Sequence, residues 1–204
     1  ILESSLNPRS KSKSGATGLW QFMYPTGKEY GLEVTSYIDE RQDPLKSTIA
    51  ACEYLVILYG MFEDWNLVLA AYNGGPGYLK RTMAKKECLT YWDVRPYLRK
   101  ETQGYIPSFI AITYAMTYYK EHNIEIIDPY IETEERDTIS FDVEVPYYLI
   151  SEMFCISNET LNYLNPSFKK EIIPDGDPVA LPKESIMDVV INEDHFYEYI
   201  ERVH

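Results

Sequence analysis

The spacing of apolar residues changes once along this chain of 204 residues, near Asp128-Pro129. Before that point apolar side chains recur at the period of a helix, and no alternating stretch occurs. After it, Thr138 to Val145 alternates between apolar and polar residues, the period of a half-buried strand. The pattern predicts an α+β protein: an all-α domain over residues 1–127, an acidic linker over 128–137 and a small module over 138–204.

Four helices are predicted in the first part. Asp43 followed by Pro44 is a helix start, because Asp accepts a hydrogen bond from a first-turn amide and proline fits the first turn. The predicted helices are one that starts at Asp43-Pro44 and carries apolar stripes over Ser47–Phe62, then Trp65–Tyr72, Pro76–Ala84 and Glu101–Glu121. The last one has a continuous inner face made of Tyr105, Phe109, Ile112, Met116 and Tyr119.

The helix that ends at Phe62 is apolar around most of its circumference. One apolar stripe holds Ile49, Cys52, Val56 and Tyr59, and the other holds Ala51, Leu55, Leu58 and Phe62. This pattern is typical of a central helix, so we expect it to be buried and Cys52 to be a buried thiol. A disulfide between Cys52 and Cys88 stays open at this point, and with it the redox compartment.

The second part is predicted to have the order β-α-α-β, followed by a terminal helix. Ser157 caps the second helix, and prolines end both strands. The predicted elements are the strand Thr138–Val145, the helices Tyr148–Phe154 and Ser157–Leu164, the strand Val179–Leu181 and the helix Glu193–Val203.

Composition excludes several classes of protein. The net charge is −13, all of it from residues 128–204, which argues against a nucleic-acid binder. A hydrophobic fraction of 45% is too high for a disordered chain. No apolar run reaches the ~18 residues of a membrane span. The three cysteines and three histidines do not cluster, so neither a metal site nor a cofactor is predicted.

Four short segments of the first part follow one another in order. Each alone has an ordinary structural explanation, such as a helix stop at Asn73-Gly74-Gly75. They are Glu3-Ser4, Gly18-Leu19-Trp20-Gln21-Phe22-Met23, Ala70-Ala71-Tyr72-Asn73-Gly74-Gly75 and Glu101-Thr102-Gln103-Gly104-Tyr105-Ile106-Pro107. Together they resemble the catalytic domain of the lytic murein transglycosylases, which are lysozyme-like, and within that family the membrane-bound type D. The resemblance covers roughly residues 1–125.

The residues themselves favour a single acid. A glycosidic bond breaks when an acid protonates the leaving oxygen, and hydrolases usually pair that acid with a second carboxylate. Between Ser4 and Lys28 no Asp or Glu follows Glu3. A partner brought close by folding stays open. One carboxylate can also act first as acid and then as base, and burial would raise the pKa of that acid.

The resemblance implies that second mechanism. In the family the Glu protonates the MurNAc-β-1,4-GlcNAc bond of peptidoglycan and then takes the proton of the C6 hydroxyl of MurNAc, which gives a 1,6-anhydro sugar. Glu3 is the catalytic residue by this resemblance, and the enzyme is a lyase without metal or cofactor. Two alternatives stay open: a hydrolase of goose-lysozyme type on the same fold, and an inactive wall-binding or scaffold protein.

The resemblance also implies substrate-binding residues. Ser4 would position the bond or assist the intermediate, and Gln21 would bind the N-acetyl or peptide-bearing sugar. Met23, with Trp20 or Phe22, would form a wall of the cleft.

Three further roles come from the later segments. By resemblance, Tyr72 and Asn73 would line the catalytic subsite, with Asn73 assisting the N-acetyl group. Tyr105 would form a hydrogen bond near Glu3 and orient it.

The implied partner is the peptidoglycan glycan strand, with no nucleic acid, and the oligomeric state stays open. The implied location is the periplasm of a bacterial envelope. Membrane contact would come only through an anchor upstream of Ile1, as in an outer-membrane lipoprotein, because the domain is expected to be truncated there. Lys11 and Lys13 lie in the stretch without acids, where a basic rim would attract the anionic polymer.

The second part weakly resembles the glycan-binding LysM module. Ser157–Pro166 and Pro174–Pro182 fit its second half, whereas Val145-Pro146-Tyr147 replaces the usual Gly-Asp-Thr after the first strand. Its negative charge would repel an anionic polymer. We therefore expect a packing or spacer role ahead of glycan binding.

Overall fold

The computed structural model describes residues 1–127 and 135–203. In the first range, residues 1–23 form a series of turns, and short bridges join Lys11 to Thr17 and Thr17 to Phe22. Two 3₁₀ turns, Glu40–Gln42 and Arg95–Tyr97, lie between helices. The helices are α1 (Tyr24–Glu29), α2 (Pro44–Phe62), α3 (Trp65–Gly74), α4 (Pro76–Lys86), α5 (Tyr91–Val94) and α6 (Lys100–Thr117).

Side-chain caps determine where α2 and α3 begin. Asp43 Oδ1 accepts a hydrogen bond from the Lys46 amide at 2.8 Å, and Pro44 occupies the first turn, as predicted. Asp64 Oδ1 accepts one from the Leu67 amide at 2.9 Å. Each cap satisfies an amide that the helix leaves without a partner, a gain of about 1 kcal/mol. The four predicted helices are confirmed, although α6 ends four residues before the predicted Glu121.

The core of the first part surrounds α3. This helix packs against α2, α4, α5 and α6, and the small side chains of Ala70 and Ala71 are fully buried within it. The other buried members are Leu58, Leu67, Val68, Leu79, Tyr91, Val94, Leu98 and Ile106. The segment Ala70–Gly75 therefore begins in the core and carries Tyr72 and Asn73 to its edge.

α2 is buried on one side only, so the expectation of a central, buried helix is wrong. Ala51 and Leu58 are buried, with Leu55 and Phe62 packed against the core. The outward stripe consists of Ile49, Cys52, Val56 and Tyr59, with Val56 71% exposed. The predicted buried thiol at Cys52 is therefore wrong, and both Cys52 and Cys88 are free. Apolar spacing indicates which faces could be buried, but neighbouring elements decide which of them are.

The predicted inner face of α6 is likewise buried only near its start. Thr102 and Ile106 are buried, whereas Phe109 is 43% and Met116 is 58% exposed. The main neighbours of α6 are α3 and the turn Arg95–Tyr97, which both lie at its first half. The period correctly predicts the helix but not the extent of its burial.

By length and composition alone, α2 could cross a membrane, contrary to the expectation that no segment could. Its 19 residues include a window of mean hydropathy 1.3, of which 22% is buried. Core helices of water-soluble proteins satisfy the same measure, and α2 contributes Ala51 and Leu58 to a core.

The second part contains two small antiparallel sheets. β1 (Arg136–Ser140) pairs with β4 (Pro178–Pro182), placing Thr138 opposite Ala180, and β2 (Val145–Pro146) pairs with β3 (Ile172–Ile173). The single predicted strand Thr138–Val145 is wrong, because the chain bends between its two halves and each half pairs with a different strand. The helices are α7 (Tyr147–Phe154), α8 (Asn158–Leu164), α9 (Lys183–Ile191) and α10 (Glu193–Val203).

The order β-α-α-β is present as β1-α7-α8-β4, with β2, β3, α9 and α10 in addition. We did not predict α9. Of the predicted linker, residues 128–134 lie outside the described residues, and Arg136 and Asp137 already belong to β1. Asn165 joins the end of α8 to β4: its side chain donates to the Ala180 carbonyl at 2.8 Å and accepts from the Ala180 amide at 2.7 Å.

Candidate active site

Glu3 lies in the first turn of the chain, beside α6. Its Oε1 accepts a hydrogen bond from the Tyr105 hydroxyl at 2.6 Å, across 102 positions of sequence. Burial raises the pKa of Glu3; the Tyr105 hydrogen bond opposes this, and the charge of Glu101 adds to it. The net result is a pKa above the usual value, which favours the protonated carboxyl that a general acid needs.

An apolar cavity of about 480 Å³ adjoins this carboxyl. Tyr105 and Trp20 line it together with Glu3. The apolar lining explains the desolvation of Glu3, since the charged form loses hydration there. The remaining lining residues are Ile1, Leu2, Leu6, Leu19, Thr48, Leu69, Phe109, Ile112, Thr113 and Met116.

Tyr72 lines a second cavity and contacts Trp20, which lines the first. Its hydroxyl donates to the Trp20 carbonyl at 2.8 Å, and its ring packs against Tyr54, with ring centroids 5.4 Å apart. Burial and the charge of Glu3 raise the pKa of both Tyr72 and Tyr105 far above the usual value. Both tyrosines therefore stay protonated and act as hydrogen-bond donors.

The second cavity, of about 240 Å³, collects four of the predicted substrate-binding residues: Gln21, Met23, Tyr72 and Asn73. Asn73 Oδ1 accepts a hydrogen bond from the Thr102 hydroxyl at 2.9 Å. This contact fixes the orientation of the amide, so its NH₂ group is the end left to donate to a ligand. Thr102 is buried within α6.

Two predicted binding residues use their polar atoms on the protein backbone. The buried Ser4 hydroxyl donates to the Leu19 carbonyl at 3.0 Å. The side-chain amide of Gln21 donates to the carbonyls of Gly18 at 2.9 Å and Ser10 at 3.2 Å. Gln21 thus keeps its Oε1 as the atom for a ligand. Ser4 instead joins the turn of Glu3 to the neighbouring loop.

That neighbouring loop, residues 15–23, is called the Gly18 loop below. Gly18 has a φ of 88°, and a Cβ atom there would lie 1.7 Å from the Arg41 carbonyl oxygen, so only glycine fits. Gln21 also has a positive φ, 50°, which turns its side chain back onto the loop. Of the two aromatic residues considered for the cleft wall, Phe22 is buried and Trp20 is half-buried.

Arg41 and Thr102 are site residues that the sequence analysis missed. Arg41 donates hydrogen bonds to the Gly15 and Phe22 carbonyls of the Gly18 loop, and nothing in its local sequence marks it. Thr102 lies inside one of the four motif segments, so its position beside Tyr105 was a signal that could have been used.

Within the described residues, no group of His, Cys, Asp or Glu side chains could hold a metal ion. Among the described residues lining the two cavities, Glu3 is the only carboxylate. Glu101 is exposed on α6 and influences Glu3 through its charge. The arrangement is therefore suited to proton transfer by one buried carboxyl near a cavity that carries the amides of Gln21 and Asn73.

Known proteins are similar to this chain over part of their length. Residues 1–94 match the transglycosylase SLT domain family. The chain is 29% identical over 191 residues to membrane-bound lytic murein transglycosylase D of Escherichia coli K12, covering 90% of this chain and 42% of that protein. The chain thus spans about two fifths of that relative's length.

Two further relatives are similar over shorter ranges. The soluble lytic murein transglycosylase of Escherichia coli K12 is 29% identical over 126 residues, 57% of this chain and 19% of that protein. The peptidoglycan transglycosylase gp16 of Escherichia phage T7 is 42% identical over 79 residues, 38% of this chain and 6% of that protein. Residues 1–94 are therefore similar to the transglycosylase SLT domain, and the resemblance of the chain to the lytic murein transglycosylases, the membrane-bound type D among them, is confirmed.

Proposed function

We propose that this chain cleaves the MurNAc-β-1,4-GlcNAc bond of peptidoglycan as a lytic transglycosylase, in the bacterial periplasm. The observation that carries the proposal is the Glu3 carboxyl, buried beside an apolar cavity and held by the Tyr105 hydroxyl at 2.6 Å. The names of the relatives support murein as the substrate.

In the first step the protonated Glu3 gives its proton to the glycosidic oxygen, and the bond from that oxygen to C1 of MurNAc breaks. In the second step the Glu3 carboxylate takes the proton of the C6 hydroxyl of MurNAc. The C6 oxygen then bonds to C1, giving a 1,6-anhydro end. Glu3 regains its proton, and no water is consumed.

Tyr105 has a defined part in both steps. Because it stays protonated, its hydroxyl keeps donating to Glu3 when the carboxyl becomes a carboxylate, which stabilises the base form. The second cavity would hold the N-acetyl sugar, with the Asn73 NH₂ donating to it and Gln21 Oε1 accepting from it.

The product of a digest tests this mechanism. Purified peptidoglycan incubated with the chain should release muropeptides with anhydro ends, each 18 mass units lighter than the product of hydrolysis, because one water is missing. Glu3→Gln should lower the rate by about a thousandfold, the effect of losing a general acid. Reducing ends in place of anhydro ends would contradict the proposal.

One observation favours the hydrolase alternative enough to test it. Glu101 is close enough to raise the pKa of Glu3, so a second carboxylate is within electrostatic reach. A hydrolase would use it to hold the attacking water. Glu101→Gln is thus a matched control for Glu3→Gln: the transglycosylase keeps its anhydro product and most of its rate, whereas the hydrolase loses activity.

A further inference from the structure

The segment Tyr37–Asp39 belongs to the first part of the chain but packs into the second. Ile38 is 8% exposed and belongs to the same hydrophobic core as Phe168, with Tyr37 packed against that core. The Asp39 amide donates to the Ser167 carbonyl at 2.9 Å, and the Lys169 amide donates to the Tyr37 carbonyl at 2.7 Å. The segment is thus fixed on both sides by the module of residues 136–203.

Asp39, the last residue of this segment, binds the side chain of Arg41. Asp39 Oδ1 accepts from Arg41 Nε at 2.9 Å, and Asp39 Oδ2 accepts from Arg41 Nη2 at 2.7 Å, a bidentate ion pair. Both side chains are at least nine-tenths buried. A bidentate pair fixes the plane of the guanidinium, not only its position.

The remaining guanidinium nitrogen points at the Gly18 loop. Arg41 Nη1 donates to the Gly15 carbonyl and to the Phe22 carbonyl, each at 3.1 Å. These two carbonyls lie at either end of the loop that carries Gln21. The same carbonyl of Phe22 accepts from the Thr17 amide at 3.1 Å, so the guanidinium also supports the loop's own pairing.

We propose that the module is a brace for the Gly18 loop, and that Asp39 and Arg41 are the positioning residues that transmit it. The path runs from Ser167 and Phe168 through Asp39 to the guanidinium of Arg41, and from there to the two loop carbonyls. This gives the acidic module a function that requires no glycan binding. It rests on the proposed function only in that the Gly18 loop is taken to hold the sugar.

Kinetics of Arg41→Lys test the last part of this path. The ammonium of lysine cannot bind Asp39 and both loop carbonyls at once, so the Gly18 loop is no longer held in one position. With soluble, uncrosslinked glycan strands we expect KM to rise about tenfold, with a smaller fall in kcat, because Glu3 keeps its own contact with Tyr105. A purely structural role would lower the active fraction instead, which reduces kcat and leaves KM unchanged.

Lys46→Gln is the matched control for this measurement. It removes the ion pair between Lys46 and Glu40. Glu40 precedes Arg41 in sequence, but the loop carbonyls of Gly15 and Phe22 accept their hydrogen bonds from Arg41. KM should stay at the wild-type value. A rise in KM equal to that of Arg41→Lys would overturn the positioning role.

Hydrogen exchange tests the module end of the path without relying on cleavage. Phe168→Ala and Phe196→Ala each remove one buried phenyl ring from the same core. Phe168 lies at the segment Tyr37–Asp39, whereas Phe196 packs on Phe141 and Phe154. Provided both variants remain folded by circular dichroism, Phe168→Ala should speed exchange in residues 15–23 about tenfold more than Phe196→Ala. Equal effects, or no effect of either variant, would overturn the brace.

The two experiments also separate this inference from the proposed function. If the wild-type chain cleaves nothing, the transglycosylase proposal fails, yet exchange in residues 15–23 still decides whether the module braces the loop. If cleavage is normal and exchange does not respond to Phe168→Ala, only the brace fails.

Discussion

The two cavities of the candidate site hold their polar groups in different ways. The cavity at Glu3 surrounds one carboxyl with apolar side chains, and a single hydroxyl, that of Tyr105, holds it. The second cavity combines apolar side chains such as Phe22 and Met23 with two amides held by hydrogen bonds, Asn73 by Thr102 and Gln21 by backbone carbonyls. Burial shifts a pKa, whereas hydrogen bonds fix positions. Changes at the first cavity should therefore alter rate and pH dependence, and changes at the second should alter affinity.

The largest effect on stability is expected at Gly18, which lies in the loop that carries Gln21 to the second cavity and packs closely against Arg41. In Gly18→Ala the new Cβ would lie 1.7 Å from the Arg41 carbonyl oxygen at a φ of 88°. We expect unfolding free energy to fall by more than about 3 kcal/mol, since clash and backbone strain add. Urea unfolding measures this.

Gly15→Ala is the control for that substitution. Gly15 has a similar φ, 87°, but nothing lies within 4 Å of a Cβ there. Strain alone should cost about 1 kcal/mol. Equal losses in both variants would mean that the clash with the Arg41 carbonyl adds nothing to the backbone strain at Gly18.

Tyr105→Phe tests whether the cavity at Glu3 controls the pH dependence of cleavage. The lost hydrogen bond is the larger of the contributions that lower the pKa of Glu3, while burial and the charge of Glu101 both raise it, so the pKa rises further. Because the first step needs the protonated acid, the decline of kcat/KM at high pH should move to higher pH. The activation free energy should rise by about 2 kcal/mol, which lowers the rate, because the carboxylate loses its hydrogen-bond donor in the second step.

Glu101→Gln should shift the same decline in the other direction. It removes a negative charge that raises the pKa of Glu3, so the decline moves to lower pH. Profiles of kcat/KM against pH for the two variants check the signs. Shifts in the same direction would contradict the assignment of Glu3 as the titrating acid.

A smaller effect is expected at the second cavity, from Thr102→Val. The isosteric change removes the hydrogen bond to Asn73 Oδ1, worth about 1 kcal/mol, and frees the amide to rotate. KM should rise about fivefold at an unchanged pH profile. Thr102→Ser keeps the hydroxyl and should restore the wild-type KM. A shifted pH profile would mean that the two cavities are not independent.

The sequence predicted the neighbourhood of Glu3 better than the supports around it. Tyr105 is in contact with Glu3, and Gln21, Met23, Tyr72 and Asn73 line one cavity. All five belong to the ordered motifs, and their roles toward a substrate stay predictions. Arg41 belongs to none. Its role depends on the carbonyls of Gly15 and Phe22, which only the folded loop brings to it.

The fold shows the same division. Caps and apolar periods are properties of one segment, so the starts of α2 and α8 and the bounds of α10 could be predicted. Burial depends on neighbours, and the outward stripe with Val56 and the outer half of α6 were therefore predicted wrongly. The predicted strand Thr138–Val145 failed for a related reason, since pairing partners are distant in sequence.

The smallest expected effect concerns charge outside both cavities. Lys11 and Lys13 are exposed in the stretch that holds no acidic residue between Ser4 and Lys28. Changing both to Glu should slow peptidoglycan turnover at low salt, because the rim would repel the anionic polymer, at a cost of less than about 1 kcal/mol. At about 0.5 M salt the difference should vanish, since charges are screened over a few ångströms. Changing Lys80 and Lys85, exposed on α4, gives the same net charge and should slow turnover less. If both pairs slow it equally, net charge, not a basic rim beside Glu3, governs the encounter with the polymer.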